Sequence, residues 1–342
     1  MAKCTRMNKR LNFGIGKILL LAFIGCSSPG QQQEIRSVTG SGAPLQDKIW
    51  LSHEHILVDF IGADSISSKS WNHDSVWNTI APYLENLKEH NVHYFVDATP
   101  AYLGRDVLLL EKIAKKTGLT VITNTGFYGA VKNKYIPAFA FEKTPEELAA
   151  IWINEFEQGI DGTAIKPGFI KISVDVADTL HPMHQKLVTA AAITHLKTGL
   201  TIASHTGDAK GLWPQLQILK TMGVSPQAFI WVHAQSEKDN TNYLRAAEMG
   251  CWISLDGLGW DLESHVEKLL FAKEKGILQR ILISHDAGWY DPKKQTQTIQ
   301  PYTNIFKQLY PALLSKGFSE EEFNLLMSNN PGKAFSIQIR KL

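Results

Sequence analysis

Two histidines, His53 and His55, stand two residues apart in the apolar stretch 51–59. Successive side chains of a β-strand point to opposite faces, so these two imidazoles project in the same direction. Two imidazoles on one face can hold one metal ion, and the apolar neighbours predict a buried strand, in which an unpartnered imidazole would lose its hydrogen bonds to water. On this motif alone, two ordinary core or surface histidines are an equal alternative.

Further polar residues stand at the ends of other apolar segments. They are His205 after 201–204, His233 after 229–232 and Asp286 after 281–285. Histidine and carboxylate are the ligands that Zn²⁺ and similar divalent ions take. If these segment ends converge, the four histidines and the aspartate form a preformed metal site.

Lys171 is an unusual residue for the middle of an apolar segment. Alternation places it on the same face as Phe169 and Ser173, which points into the predicted barrel. A buried ammonium is costly, so its pKa falls, and the neutral amine can react with carbon dioxide to give a carbamate that bridges two cations. The alternative is a buried lysine paired with Asp97 or Asp256.

The elements that must position these residues alternate strictly between strand and helix. Eight apolar segments are predicted as strands, and helical patterns separate them: 51–59, 93–98, 120–125, 169–174, 201–205, 229–233, 252–256 and 281–286. Such alternation implies parallel strands, and eight units close into a (β/α)8 TIM barrel with the helices outside. An open doubly wound sheet is less favoured, because no Gly-rich phosphate turn follows the first strand. In TIM barrels, catalytic side chains lie at the C-terminal ends of the strands.

Residues 1–25 have the pattern of a secretory signal. A basic segment leads into the apolar run 18–25, which is too short to span a bilayer, and Cys26 follows. The junction resembles a bacterial lipoprotein signal, whose cysteine becomes the lipidated first residue; an uncleaved or ordinarily cleaved signal is the alternative. Residues 26–45 are predicted to be a flexible tether and 46–342 the barrel. We therefore expect a lipoprotein anchored to a membrane through Cys26, on the periplasmic or cell-surface side.

Composition narrows the function classes. The chain has 342 residues, 44% of them hydrophobic, enough for one globular unit of barrel size. Its formal charge of +2 includes five basic residues before Cys26 and no acid there, so the remainder carries −3. This slightly negative net charge argues against binding to nucleic acid, which requires a basic surface. Only Cys251 of the three cysteines lies in the body, which excludes an internal disulfide framework.

Several short motifs occur together along the chain. In order they are His53-Glu54-His55, Gly104-Arg105-Asp106, Thr125-Gly126-Phe127-Tyr128, Ile170-Lys171, Ser204-His205-Thr206-Gly207, His233, Ser284-His285-Asp286 and Asn330-Pro331. Together they resemble the phosphotriesterase family of the amidohydrolase superfamily. The resemblance covers residues 46–342.

The resemblance implies a centre with two divalent ions, Zn²⁺ first, with Mn, Co or Fe as alternatives. The implied ligands are His53, His55 and Asp286 for the more buried ion, His205 and His233 for the more exposed one, and N6-carboxylated Lys171 with a hydroxide bridging both. Two cations lower the pKa of the bridging water and supply a nucleophile at neutral pH. Asp286 is then the catalytic group that takes the proton.

Tyr128 matches a loop tyrosine that lies beside the metals in the family's lactonases, and a role in catalysis is weighed against simple aromatic packing. The segment 256–259 departs from the Asp-Arg-Tyr-Gly of the family's quorum-sensing lactonases, and the missing arginine argues against acyl-homoserine lactones. His285 is expected to point away from the site. The other histidines are expected to be structural: His73, His90, His93, His181, His184, His195 and His265.

We expect a metal-dependent hydrolase that cleaves a small-molecule lactone or other carboxylic ester, with organophosphate triesters as a slower side activity. The loops 127–141 and 257–260 bring aromatic and small residues over the site and no arginine, which favours an uncharged substrate over a phosphate monoester. The alternatives are a phosphodiesterase or nuclease of a related barrel type, which usually has Glu in place of Lys171, and a non-catalytic surface binding lipoprotein. A homodimer is compatible with each.

Overall fold

The structure is a computed structural model that describes residues 33–259 and 261–342. The predicted signal 1–25 and Cys26 lie outside the described residues. The strands are β1 (Ile35–Ser37), β2 (Gly40–Gly42), β3 (Ile49–Glu54), β4 (Val92–Asp97), β5 (Thr120–Ile122), β6 (Asn124–Thr125), β7 (Phe169–Ser173), β8 (Ile202–His205), β9 (Phe229–Val232), β10 (Trp252–Leu255) and β11 (Ile281–Ile283). The α-helices are α1 (His73–Glu85), α2 (Val107–Thr117), α3 (Ala138–Glu142), α4 (Pro145–Gln158), α5 (Pro182–Thr198), α6 (Ala209–Thr221), α7 (Thr241–Glu248), α8 (Leu262–Glu274), α9 (Tyr310–Ser315), α10 (Glu320–Asn324) and α11 (Asn330–Ala334).

Parallel strands from β3 to β11 form the barrel. β3, β4 and β5 pair in one sheet, and β6 to β11 pair in sequence order in another. Only Thr123 separates β5 from β6, and at the other junction the N–H of Asp286 donates to the carbonyl of His53 at 3.1 Å. The predicted (β/α)8 TIM barrel is confirmed. The predicted first and eighth strands are too long, because the structure ends them at Glu54 and Ile283.

The barrel interior has an apolar layer built by alternate strand residues. Trp50 stacks on Tyr94 with ring centroids 4.0 Å apart, and Phe335 closes over Trp50 at 6.0 Å. Phe169 belongs to this interior cluster, whereas Ile170 belongs to the larger core beneath the helices. The alternation along β7 is therefore as predicted, and it directs Lys171 inward.

A hairpin of β1 and β2 covers the N-terminal end of the barrel, and it corrects one prediction. Ile35 joins the interior apolar cluster, and the N–H of Val38 donates to the carbonyl of Val121 at 2.9 Å. The tether predicted for 26–45 is therefore wrong over this hairpin. Two apolar side chains in a polar segment find a buried surface in the folded barrel, which local composition does not reveal.

Side-chain caps and hydrogen bonds near the C-terminus hold the outer helices in place. Thr144 and Ser319 each form a capping box with the glutamate three residues on. Asn330 donates to the carbonyls of Leu278 and Ile281, both at 2.8 Å, and so ties the C-terminal helices to the start of β11. Across the described residues, we find no helix that is both long enough and apolar enough to cross a membrane.

Candidate active site

A chamber of about 90 Å³ opens at the C-terminal ends of the barrel strands. Its walls combine polar residues that the sequence predicted for a metal site with apolar and aromatic side chains. The polar side is made by His53, His55, Lys171, His205, His233 and Asp286, and the remainder by Val58, Phe60, Leu103, Tyr128, Val131, Tyr135 and Trp289. The structure thus brings all of the predicted site residues together.

The tightest group in the chamber is His53, His55 and Asp286. Their ligand-type atoms lie within 4.8 Å of one another. Asp286 Oδ1 is 3.0 Å from His55 Nε2 and 3.6 Å from His53 Nε2. All three residues are buried, so the group can enclose a cation away from bulk water.

His55 and Asp286 bring two atoms that can bind a metal close together inside the chamber. The Thr99 hydroxyl donates to the carbonyl of Leu57 at 3.1 Å, so it must accept from His55 Nδ1–H at 2.7 Å. Nε2 is then the His55 ring nitrogen that faces Asp286 Oδ1, a buried atom with no hydrogen-bond donor among the described residues. A cation can lie between these two atoms, and the set of imidazole and carboxylate groups suits a divalent metal.

His205 and His233 form a second pair beside this group. Their ring centroids are 4.3 Å apart, and the His233 ring is 5.1 Å from that of His53. Asp256 Oδ1 lies 2.7 Å from His233 Nδ1, and the Tyr128 hydroxyl lies 3.0 Å from His205 Nδ1. These contacts hold both rings in fixed orientations, as outer partners of metal-binding histidines do.

Burial tunes the nitrogen donors toward their neutral forms. Burial lowers the pKa of Lys171 to about 8, against the opposing charges of Asp256 and Asp286. Burial also holds the pKa of His53 and of His205 well below the ordinary value. Neutral imidazole and amine nitrogens are the forms that bind metals or react with carbon dioxide.

The pKa values of His233 and Asp286 are shifted toward the charged forms of these side chains. Burial alone would lower the pKa of His233, but the carboxylate of Asp256 outweighs it and raises this pKa. Burial alone would raise the pKa of Asp286, but the contact with His55 and the neighbouring imidazoles lower it to about 2. Asp286 is therefore an ionised carboxylate at neutral pH.

Lys171 does not form the alternative ion pair that the sequence allowed. Within the described residues, no hydrogen bond or ion pair joins its ammonium nitrogen to Asp97 or Asp256. The Asp97 carboxylate instead accepts the backbone N–H groups of Ile56 and Thr99, at 2.9 and 3.1 Å. Lys171 thus faces the chamber with its nitrogen available for modification.

Unusual backbone conformations occur at the site. His233 and Asp286 have φ values of 60° and 52°, in the left-handed region that residues other than glycine rarely adopt. Gly126, at the end of β6, has φ 118°, and a Cβ there would overlap the carbonyl oxygen of Lys171. Glycine is therefore required beside Lys171, which gives a physical reason for the Thr125-Gly126 motif.

The sequence profile of the phosphotriesterase family matches residues 33–335. The chain belongs to the phosphotriesterase family. It is 30% identical to an aryldialkylphosphatase from Saccharolobus solfataricus, over 84% of this chain and 94% of that protein. It is 25% identical to the phosphotriesterase homology protein of Escherichia coli, over 83% and 97%. An organophosphorus hydrolase from Deinococcus radiodurans has the same fold, with a TM-score of 0.79, 24% identity and coverage of 88% and 97%.

Membership of this family makes the protein a metal-dependent hydrolase.

The site also contains a residue, Glu54, whose role was not predicted from the sequence. Glu54 accepts from Ser284 Oγ and His285 Nδ1, both at 2.7 Å, and from the N–H of Ala287 at 2.9 Å. Glu54 therefore locks the end of β3 to the segment that carries Asp286. The position of Glu54 between the two predicted metal-binding histidines was the sequence feature that could have indicated this role.

Three histidines outside the chamber have structural partners. His285 Nε2 accepts the N–H of Ile305 at 3.0 Å, on the side away from the site. His73 bonds to Asp106 at 2.7 Å, and His184 donates to the carbonyl of Gly129 at 2.9 Å.

Proposed function

We propose that the protein is a binuclear metal-dependent hydrolase that cleaves a lactone or another neutral carboxylic ester. The observation that carries the proposal is the composition of one small chamber. Buried nitrogen and carboxylate donors form one side of it, and an apolar aromatic wall forms the other. The first side suits metal-assisted hydrolysis, and the second suits an uncharged acyl or ring group.

Two groups of side chains would hold the ions. The ligands would be His53, His55 and Asp286 for one ion, His205 and His233 for the other, and Lys171 for both as its carbamate. Nitrogen and carboxylate donors suit Zn²⁺, with Mn, Co and Fe as alternatives. When bound, two such ions lower the pKa of a water molecule to give a nucleophile at neutral pH and polarise the substrate oxygen.

The protein's own groups divide the remaining work. Asp286 is ionised at neutral pH, so its carboxylate can accept the proton released as the nucleophile attacks. Burial raises the pKa of Tyr128, so its hydroxyl stays protonated and can donate to the carbonyl or the leaving oxygen. Val58, Leu103 and Trp289 exclude water around the acyl group.

The charge of the chamber supports a neutral substrate. Lys171 is the one lysine or arginine among the described residues that line it. A phosphate monoester, with two negative charges, would therefore have no cationic partner apart from the metals. Similarity to an aryldialkylphosphatase supports organophosphate triesters, which are also uncharged, as a side activity.

The decisive experiment is a turnover screen of metal-loaded protein with a lactone, an aryl ester, a phosphotriester, a phosphodiester and a phosphomonoester. We expect the neutral carboxylic substrates to have the highest kcat/KM, with two metal ions per chain by elemental analysis. A preference for phosphodiesters would favour the phosphodiesterase or nuclease alternative. Binding without turnover of any substrate would favour a surface binding protein.

The contribution of Tyr128 can be measured in the same screen. We expect Tyr128→Phe to lower kcat by about 10²–10³ if the hydroxyl stabilises the developing oxyanion, because loss of one such donor has that effect. The matched control is Tyr135→Phe, which changes a second tyrosine of the chamber wall that makes no contact with His205. Equal rates for Tyr128→Phe and the unmutated enzyme would leave Tyr128 a packing residue.

We also propose that the mature protein is a lipoprotein anchored through Cys26, on the basis of the apolar run and cysteine at the end of the leader. Cys26→Ser should leave precursor or soluble protein in cell fractionation. A mature protein that starts beyond Cys26 and carries no lipid mass would exclude the anchor.

A further inference from the structure

The turn that follows Tyr128 has a rare backbone conformation. Val131, Lys132 and Asn133 have φ values of 61°, 55° and 62°, three successive non-glycine residues in the left-handed region. This conformation is unfavourable for L-residues and most of all for a β-branched one such as valine. Val131 nevertheless lines the substrate chamber. The turn has one hydrogen bond of its own from the N–H of Asn133 to the carbonyl of Gly129, at 3.0 Å, and further contacts from outside the turn.

Asp175 makes one of these contacts from the loop after β7. Its Oδ1 accepts the N–H of Val131 at 2.8 Å, and its Oδ2 accepts the N–H of Lys132 at 3.2 Å. Both carboxylate oxygens therefore bind successive N–H groups of the turn, an arrangement in which the backbone forms an anion-binding concavity. The Asp175 side chain is 46% exposed, so its removal leaves no buried charge unpaired.

The base of the turn is fixed separately. Ser173 Oγ accepts the N–H of Ala130 at 2.7 Å, and His184 donates to the carbonyl of Gly129 at 2.9 Å. A Cβ on Gly129 would come within 2.7 Å of Leu187, so the backbone is tightly seated. Loss of Asp175 should therefore release the tip of the turn and leave its base in place.

The turn also contacts the segment that carries Phe60. Lys134 donates from Nζ to the carbonyl of Phe60 at 2.6 Å, and its own carbonyl accepts the N–H of Ala63 at 3.1 Å. Phe60 lines the chamber together with Val131. The turn is thus tied to the segment that supplies another apolar residue of the chamber lining.

We propose that Asp175 is a positioning residue that sets the width of the apolar side of the chamber and thereby selects esters by the size of their acyl group. The proposal rests on the proposed ester hydrolysis. Without the carboxylate, the turn loses two hydrogen bonds that favour its left-handed conformation, and Val131 leaves the wall. Bulky acyl groups then gain access, and small ones lose their fit.

The test compares kcat/KM for aryl acetate with that for the aryl ester of a branched acid. A methylene in an apolar pocket changes discrimination by about 10–200-fold, so Asp175→Ala should shift the ratio at least about tenfold toward the branched ester. Asp175→Asn should shift it less, because its side-chain oxygen still accepts one N–H. Asp178→Ala, a change in the same loop outside the chamber lining, should leave the ratio unchanged.

A second substitution separates positioning from a general structural effect. Lys132→Gly added to Asp175→Ala should restore the original ratio, since glycine adopts positive φ without the carboxylate. Lys132→Ala added to Asp175→Ala should not restore it. An unchanged ratio in Asp175→Ala, or equal effects of glycine and alanine at position 132, would overturn the proposal.

Trypsin provides a readout that needs no ester hydrolysis, because the turn contains Lys132 and Lys134. Cleavage after these residues should be faster in native Asp175→Ala than in the unmutated protein or Asp178→Ala. If the unmutated enzyme hydrolyses no ester, the proposed function fails, and the positioning role then depends on this result alone. Unchanged cleavage would refute it.

Discussion

Two layers of the barrel interior differ sharply, although the β7 residues that point into them are equally buried. On β7, Phe169 and Lys171 point inward two residues apart, and each is 1% exposed. Phe169 packs among aromatic and aliphatic rings, whereas Lys171 shares its layer with four histidines and Asp286. The lower layer is held mainly by apolar and aromatic packing, with one hydrogen bond from the N–H of Leu45 to the Tyr94 hydroxyl at 2.7 Å. In the part of the chain that the structure describes, the upper layer leaves Asp286 Oδ1 without a hydrogen-bond donor and the Lys171 amine without a hydrogen bond or ion pair, and both groups are then available to a metal site.

The difference extends to the backbone. His233 and Asp286, both in the upper layer, have left-handed conformations, whereas the lower layer lies within regular strands. Strain and unmatched polar groups in one layer must be offset by packing in the other. The packed layer that stabilises the barrel and the polar layer that carries the reactive groups are therefore adjacent on the same strands.

The largest effect is expected from Lys171→Ala. Removing the residue that would bridge the two ions should lower activity at least about 10³-fold and release metal, more than the 10–100-fold typical of an outer partner. Short carboxylic acids added to this variant should restore part of both. Metal content and kcat/KM measure the effect.

Lys171→Arg separates charge from carbamate in the same assay. Arginine keeps the positive charge but cannot form the carboxylate, so this variant should also be inactive. An active arginine variant with normal metal content would show that position 171 acts as a cation, and the two layers would then differ less than we infer.

The reverse pattern is expected for stability. Phe169→Ala should lower the free energy of unfolding by about 3–5 kcal/mol, because it leaves a cavity among packed rings. Lys171→Met in metal-free protein should have little effect or be stabilising, because it removes a buried amine. Denaturant unfolding tests both. If Lys171→Met is as destabilising as Phe169→Ala, the upper layer also carries the stability of the barrel.

The pH dependence of stability should reveal Lys171 directly. Its pKa is lowered from 10.5 to about 8 in the folded protein, so between these values the unfolded chain binds more protons. The free energy of unfolding of metal-free protein should therefore rise with pH from about 8 to 10.5, by as much as about 3 kcal/mol. The difference from Lys171→Met isolates this contribution. Parallel pH curves for the two proteins would contradict it.

A smaller effect is expected from Asp256→Asn. The variant keeps the size of the side chain, but it weakens the 2.7 Å contact with His233 Nδ1 and lowers the pKa of that imidazole. We expect metal affinity or kcat/KM to fall about 10–100-fold, with a normal unfolding midpoint. Asp239→Asn, at an exposed position whose contacts are with Thr241, is the matched control.

Sequence reasoning succeeded where the signal is periodic and local. Alternation along β7 was sufficient to direct Lys171 inward, and the eight strand segments predicted the barrel. It failed where a contact joins distant loops. Nothing in the sequence near Asp175 indicates that it binds the turn at Val131, and the role of Asp256 beside His233 follows only from the closed barrel. Local composition likewise concealed the burial of Ile35.

The hairpin of β1 and β2 packs at the end of the barrel away from the chamber. It meets the barrel beside Val121 at the start of β5, and Ile35 enters the apolar layer at the N-terminal end of the strands. The chamber opens at the opposite, C-terminal end. The hairpin and the mouth of the chamber therefore lie at opposite ends of the strands, and small molecules can enter and leave the chamber without displacing β1 or β2.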